Sequence, residues 1–243
     1  MVSLFVGPVY FAVQYFIWSA VYSSQSSVNG FSLDEMLTYF GIAALIYYLI
    51  FDFADWNLGM LVHTGQFLTF MVRPLSHRFY AFSQKAGHRL LGFWVEFLPV
   101  YLIFYFVFQI KLVPKYPFWA VLSVALGFVM MFLINYCAGI MAFWFTKTGG
   151  VSRMFQLLRD VFAGSLIPLT FFPELFQKLL FVLPFQFATY VPVRVFVGSY
   201  ELAGTTYSIP HIVGLQAIAV LVMLGVSELL WRLAIRRFTG VGA

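Results

Sequence analysis

The 243 residues are 62% apolar and 21% aromatic, and only 9% are charged. A water-soluble domain carries about 25% charged and 45–50% apolar residues, and a globule of this size cannot hide such an excess because much of its surface stays in water. The chain therefore belongs in a membrane, and its net charge of +5, scattered rather than gathered in a stripe, carries topology information and argues against a nucleic-acid partner.

Crossing a hydrocarbon layer of about 30 Å takes about 20 apolar residues as helix. In chain order, uncharged or nearly uncharged stretches predict spans over 2–22, 36–51, 90–110, 118–146, 154–172 and 210–231, the fifth interrupted near its start by Arg159 and Asp160. The first stretch lacks the basic leader of a signal peptide and is expected to stay as a span. The runs are continuous rather than alternating, which excludes an outer-membrane barrel. The predicted fold class is all-α: a polytopic membrane protein of six transmembrane helices in a single domain covering residues 1–243.

Six spans put both termini on one side. Arg73, Arg78, Lys85, Arg89, Lys147, Arg153, Arg232, Arg236 and Arg237 fall on that side and Lys111, Lys115, Lys178 and Arg194 on the other, nine against four. The positive-inside rule then places both termini in the cytoplasm. Trp18, Tyr22, Trp119, Trp144 and Trp231 sit near span ends, where they fit an interfacial belt or ordinary packing equally well. The one cysteine, Cys137, lies in an apolar run and has no disulfide partner within the chain.

Between spans five and six the chain stays apolar yet contains Pro168, Pro173, Pro184 and Pro192. Proline interrupts helix hydrogen bonding, so no continuous span runs through this stretch. The pieces 173–183 and 185–196 are about 17–18 Å long as helices, too short to cross. They suit a re-entrant outer hairpin over about 173–198, with Pro173 and Glu174 as a helix start. Such a hairpin is either a gate over a translocation path or an outer cap that only packs, and interrupted membrane helices favour the gate.

The longest inner loop, 52–89, contains a short apolar piece, 66–72, closed by Arg73 and Pro74. A surface helix ending at a turn is expected there. It would dock a partner protein or lie against anionic headgroups. Ionisable residues within spans are costly. Glu96, Arg159, Asp160 and Glu228 are therefore singled out, with Arg159 expected to meet Glu96 or Glu228 rather than its own neighbour, since adjacent helical positions point about 100° apart. Asp52 and Asp55, at the inner membrane edge, and His63, His77 and His88, in the basic loop, are expected to be solvated.

No GxxxxGK[ST] phosphate loop occurs, and no inner loop is long enough for a nucleotide-hydrolysing domain. His63, His77, His88 and His211 have no metal-ligand spacing, and no GxSxG turn is present. No residue is nominated as catalytic, and no cofactor or metal is expected on this chain.

Four stretches, FIWSAVYSSQSSVNGFSLDEMLTYF, HTGQFLTFMVRPLSHRFY, RDVFAGSLIPLTFFPELFQKLLFVLPFQFATYVPVRVFVG and WRLAIRRFTGVG, resemble permease subunits of bacterial ABC-2 type exporters. The resemblance implies a multi-pass inner-membrane protein with a re-entrant hairpin between helices five and six. It implies pairing with a second permease, identical or not, and docking of separate ABC ATPase subunits that carry ATP and Mg. It assigns ATPase coupling to Gly65, Gln66, Leu68, Arg73 and Pro74, within a region of about 59–89. It assigns the outer gate to Pro168, Pro173, Pro184, Phe185 and Pro192. The family usually opens with a basic amphipathic helix, whereas span one begins here almost at once, so a late-placed start or a paired permease supplying that helix is expected.

The function expected is export of an amphipathic compound, such as a drug, peptide antibiotic or lipid-linked molecule, with membrane lipids as surroundings. The alternative is an ATP-independent secondary transporter or channel, for which the spans offer few mid-bilayer ionisable groups.

Overall fold

A computed structural model describes residues 3–108, 112–145 and 149–236. The predicted span ends at residues 2, 110 and 146, and Lys111, Lys147 and Arg237, lie outside them. The chain is mostly helical: α1 (Ser3–Tyr22), α2 (Leu33–Ile50), α3 (Ala54–His63), α4 (Leu68–Met71), α5 (His77–Gly92), α6 (Leu98–Phe106), α7 (Pro117–Ile140), α8 (Gly149–Phe162), α9 (Glu174–Val182), α10 (Tyr190–Val197) and α11 (Ile209–Ile235). Among the described residues, four helical stretches are long and apolar enough to cross a membrane: Leu33–His63, His77–Phe106, Pro117–Phe143 and Ile209–Ile235.

α2 is apolar all round and sits at the centre, which is the burial such a helix requires. Its start is fixed by a capping box: the Ser32 hydroxyl accepts from the Glu35 amide at 3.3 Å, and the Glu35 carboxylate accepts from the Ser32 amide at 2.9 Å. α1, α7 and α10 pack around it. The helix breaks at Phe51, whose backbone is extended, and restarts at α3, where Asp52 Oδ1 accepts from the Ala54 amide at 2.6 Å. The span predicted over 36–51 is therefore joined to a further helical piece by a polar break.

The third span differs in its start. The amphipathic α5 runs without interruption into the apolar α6, so the helix begins at His77 rather than near residue 90. The two halves meet in a π-helical turn, Phe93–Phe97, where the Leu98 amide donates to the Phe93 carbonyl. Pro99 follows in the first turn of α6 and has no amide to donate.

The helix predicted over 154–172 is not continuous. α8 ends at Phe162, Gly164 takes φ +76° with its backbone against the Tyr39 and Tyr190 side chains, and Pro168 is extended. A side chain at Gly164 would be strained in that left-handed conformation. Beyond it lie a short 3₁₀ turn, Leu169–Phe171, then α9, a second 3₁₀ turn, Pro184–Phe187, and α10.

Among the described residues a short hairpin departs from helix. Strands β1 (Tyr200–Leu202) and β2 (Thr205–Tyr207) pair antiparallel, Tyr200 opposite Tyr207. Ala203 and Gly204 both have positive φ, 54° and 71°, as a two-residue primed turn demands.

Candidate functional site

Arg159, Asp160, Asp52 and Asp55 form a polar seam between α3, α7 and α8. Arg159 is 1% exposed. Its Nε and Nη2 donate to Asp160 Oδ1 at 2.9 and 2.8 Å, and its Nη1 donates to Asn135 Oδ1. Asn135 Nδ2 in turn donates to the Asp52 carbonyl at 3.2 Å, and Gln156 Nε2 donates to Asp55 Oδ2 at 2.7 Å. Three helices are thus tied by groups that would be costly to bury alone.

This arrangement corrects three expectations. Arg159 pairs with its own neighbour, because a guanidinium on a long stem folds back across the offset between adjacent positions. Glu96 lies 3.5 Å from Arg89, while Glu228 pairs with Arg78 at 3.2 Å and Arg232 at 2.7 Å, so neither meets Arg159. Asp52 and Asp55 are each 2% exposed rather than solvated, because the break between α2 and α3 turns inward against α7.

Beside the seam, a cavity of about 440 Å³ opens between α1, α2, α5, the π turn and the end of α8. Tyr10, Tyr47, Tyr48, Phe51 and Phe53 make much of its wall, with Glu96 and Asp160 on it. Arg89 reaches across from α5 and donates to the Tyr48 carbonyl at 2.8 Å.

The segment between α3 and α5 is built as an anchored knob. Gly65 has φ +72°, which turns the chain so that the Phe67 amide donates back to the Leu61 carbonyl at 2.9 Å. The Phe67 ring is buried against His77, Phe143 and Trp231 at centroid distances of 5.6, 5.2 and 5.7 Å. His77, expected in solvent, is buried: its ring lies parallel to Trp231 at 5.7 Å, and its Nδ1 is 3.2 Å from the Tyr136 hydroxyl. Trp231 is accordingly a packing residue rather than a belt residue. Phe70 abuts His77 at 4.9 Å and carries the Arg73 guanidinium 4.8 Å above its ring.

On the other side of this knob, Leu68, Met71, Val72, Leu75 and Phe79 are exposed, Val72 to 84%. Gln66 and Pro74 are also exposed, and the Gln66 carbonyl accepts from the Thr69 hydroxyl at 2.8 Å. The short helix expected over 66–72 is present as α4, four residues long.

The proline-rich stretch is tied down by side-chain amides. Gln186 donates to the Phe181 carbonyl at 2.8 Å and accepts from the Tyr200 hydroxyl at 2.6 Å. Gln216 Nε2 donates to the Phe187 and Ser123 carbonyls at 2.8 and 3.0 Å. Pro173 precedes α9, Pro184 opens a 3₁₀ turn, and Pro192 lies in the first turn of α10, where its missing amide is harmless. Phe185 packs on Phe155 and Phe162, at 6.3 and 6.0 Å. On the exposed α9, Lys178 bonds Glu174 at 2.7 Å and so holds its carboxyl below the usual range.

Sequence reasoning missed Gln216, Ser123, Asn135 and Gln156. Their signal was a lone polar residue inside an apolar run, which in a membrane needs a partner on another helix.

The family model for the ABC-2 family transporter protein matches residues 9–242. No curated protein and no solved structure matches the chain. A match over nearly the whole length, on a mostly helical chain with four helices able to cross a bilayer, makes this a multi-pass membrane protein of the ABC-2 transporter family: an ABC permease.

Proposed function

We propose that this permease is the membrane subunit of an exporter that moves an amphipathic compound outward, driven by separate ABC ATPase subunits. The observation that carries this reading is the apolar knob formed by Leu68, Met71, Val72, Leu75 and Phe79. It is flanked by Arg73 and Arg78 and rooted in the bundle through Phe67 and His77. An exposed apolar patch with a charged rim marks a protein-binding surface. In this position Gly65, Gln66, Leu68, Arg73 and Pro74 form the coupling element, and ATP and Mg bind the partner. Interiors are close-packed, so a push on the knob passes through Phe67 and His77 to α7 and α11.

In the same reading the domain has six spans, with both termini in the cytoplasm of a bacterial inner membrane. α1 is the first span. The fifth combines α8, about 21 Å long, with the apolar chain that follows it. The stretch 173–198 is the re-entrant outer hairpin and gate, with Pro168, Pro173, Pro184, Phe185 and Pro192 shaping its bends. The permease works as a dimer with a second permease.

The test is copurification of the ATPase from gently solubilised native membranes, with Val72→Asp and Leu75→Asp combined in one variant. ATPase recovery should fall at least about tenfold while insertion and thermal stability stay at the wild-type level. Unchanged recovery would remove the coupling assignment. An intact wild-type chain that brings down no ATPase would favour an ATP-independent transporter.

A further inference from the structure

The cavity beside the polar seam has a defined chemistry. Both bonds that Asp160 receives from Arg159 fall on Oδ1, and the bond that Glu96 receives from Arg89 falls on Oε2. Asp160 Oδ2 and Glu96 Oε1 are left without a hydrogen bond from the described residues. Behind the wall, Asp52 Oδ2 and Asp55 Oδ1 are buried with no hydrogen-bond partner among the described residues. Glu96 and Asp160 on the wall are met by Arg89 and Arg159, His88 also lines the cavity, and Asp52 and Asp55 lie behind it with Lys85 acting electrostatically on Asp52. Arg89, which also lines the cavity, donates from Nη1 to both the Tyr48 carbonyl and Glu96.

Tyr10, Tyr47, Tyr48, Phe51 and Phe53 make much of the remaining wall, among small and aliphatic residues. Tyr and Phe faces carry negative quadrupoles that attract cations, more strongly where water is excluded. A volume of about 440 Å³ is within the range of pockets that enclose a drug-sized molecule. An anionic headgroup would meet the carboxylate oxygens of Asp160 and Glu96.

We propose that this cavity binds a cationic amphiphile, an amine, quaternary ammonium or phosphonium carrying an apolar body. The cation lies against Asp160 and Glu96, and the body lies on Tyr10, Tyr47 and Phe51. As a cargo site the cavity rests on the export reading above; as a binding site it does not.

The test is equilibrium binding of labelled tetraphenylphosphonium to the purified full chain, with whatever copurifies, in lipid nanodiscs. Tetraphenylborate, of nearly the same shape and opposite charge, is the control, and only the saturable, displaceable component is read. Tetraphenylphosphonium should bind at least about tenfold more tightly than tetraphenylborate, and Glu96→Gln should weaken it about tenfold. Tyr47→Leu, which leaves every ion pair intact, should weaken it several-fold. Asp160→Asn strands Arg159 and is interpreted only alongside its melting curve. Equal binding of the two ions, or an unchanged affinity in both Glu96→Gln and Tyr47→Leu, would overturn the proposal. Selective cation binding without ATP-driven uptake into inverted vesicles would leave the site standing and remove the export reading. ATP-driven uptake of another compound with no saturable cation binding would do the reverse.

Discussion

Replacing Arg159 by methionine removes a guanidinium that donates twice to Asp160 and once to Asn135, while keeping most of the stem that packs between α7 and α8. Breaking a buried ion pair on one side costs about 3–5 kcal/mol, chiefly because the other charge is stranded. The Asp160 side chain is 23% exposed and regains some water, so the low end, about 3 kcal/mol, applies. For a chain of this size that lowers the thermal midpoint by about 6–12 °C. Cys137 provides the assay: it is the only cysteine, it is partly buried, and it lies on α7 two positions from Asn135. A maleimide dye that fluoresces on thiol addition therefore reports loosening of this helix. Arg159→Met combined with Asp160→Leu removes both charges and should recover at least half of the lost stability. A single variant melting within about 2 °C of wild type, or a double variant no better than the single, would refute the reasoning that the loss comes from a stranded Asp160 charge.

Gly127→Ala should lower the midpoint by several degrees although alanine is the better helix former, because its methyl would sit 2.8 Å from the Ala188 carbonyl and 2.9 Å from Pro192 Cγ; Gly214→Ala, with open space around it, should raise the midpoint slightly in the same melt. Gly65→Ala forces an alanine to φ +72° and should cost about 1–2 kcal/mol and reduce ATPase stimulation by transported compound, whereas Gly87→Ala, unobstructed on α5, should do neither. Changing Arg73 and Pro74 to Glu and Gly should leave insertion intact and uncouple ATP hydrolysis from transport; normal transport would count against the coupling element. Ser208→Cys in a Cys137→Ala background should be labelled from outside intact cells by an impermeant thiol reagent, and labelling only after permeabilisation would reverse the proposed orientation.

The long apolar helices were legible because each carries its own signal, a run long enough to cross. What ended or joined them was less so. The loss of helix after Phe162 depends on Gly164 fitting against Tyr39 and Tyr190, residues far away in sequence. The start of the third span at His77 was hidden because α5 is amphipathic while α6 is apolar, so a search for uncharged stretches cuts one helix in two. Charged residues were found by their cost in a membrane, but their partners were not. Arg159 meets Asp160 and Asn135, a choice set by where α7 and α8 lie rather than by spacing. His77 was misplaced for the same reason: four aromatic residues, Phe67, Phe70, Tyr136 and Trp231, close around it, the last two from distant parts of the chain. The short helix at Leu68–Met71 was legible because Arg73 and Pro74 punctuate it locally.

The π turn at Phe93–Phe97 sets the rotational phase of the helix that runs from His77 to Phe106. A π turn holds one residue more per hydrogen-bonded loop than an α turn, and each helical residue advances about 100°. Excising one residue there would restore ordinary winding and leave the 77–92 half in nearly its present phase; excising one from an α turn beside it, which holds no extra residue, would swing that half about 100° against the outer half. Arg89 would then leave the Tyr48 carbonyl and His77 would leave its place beside Trp231, although no side chain at either contact had changed. Outside the π turn this helix experiences an insertion or deletion as a rotation, whereas within the turn one residue more is absorbed, so the count on either side is specified as strictly as residue identity.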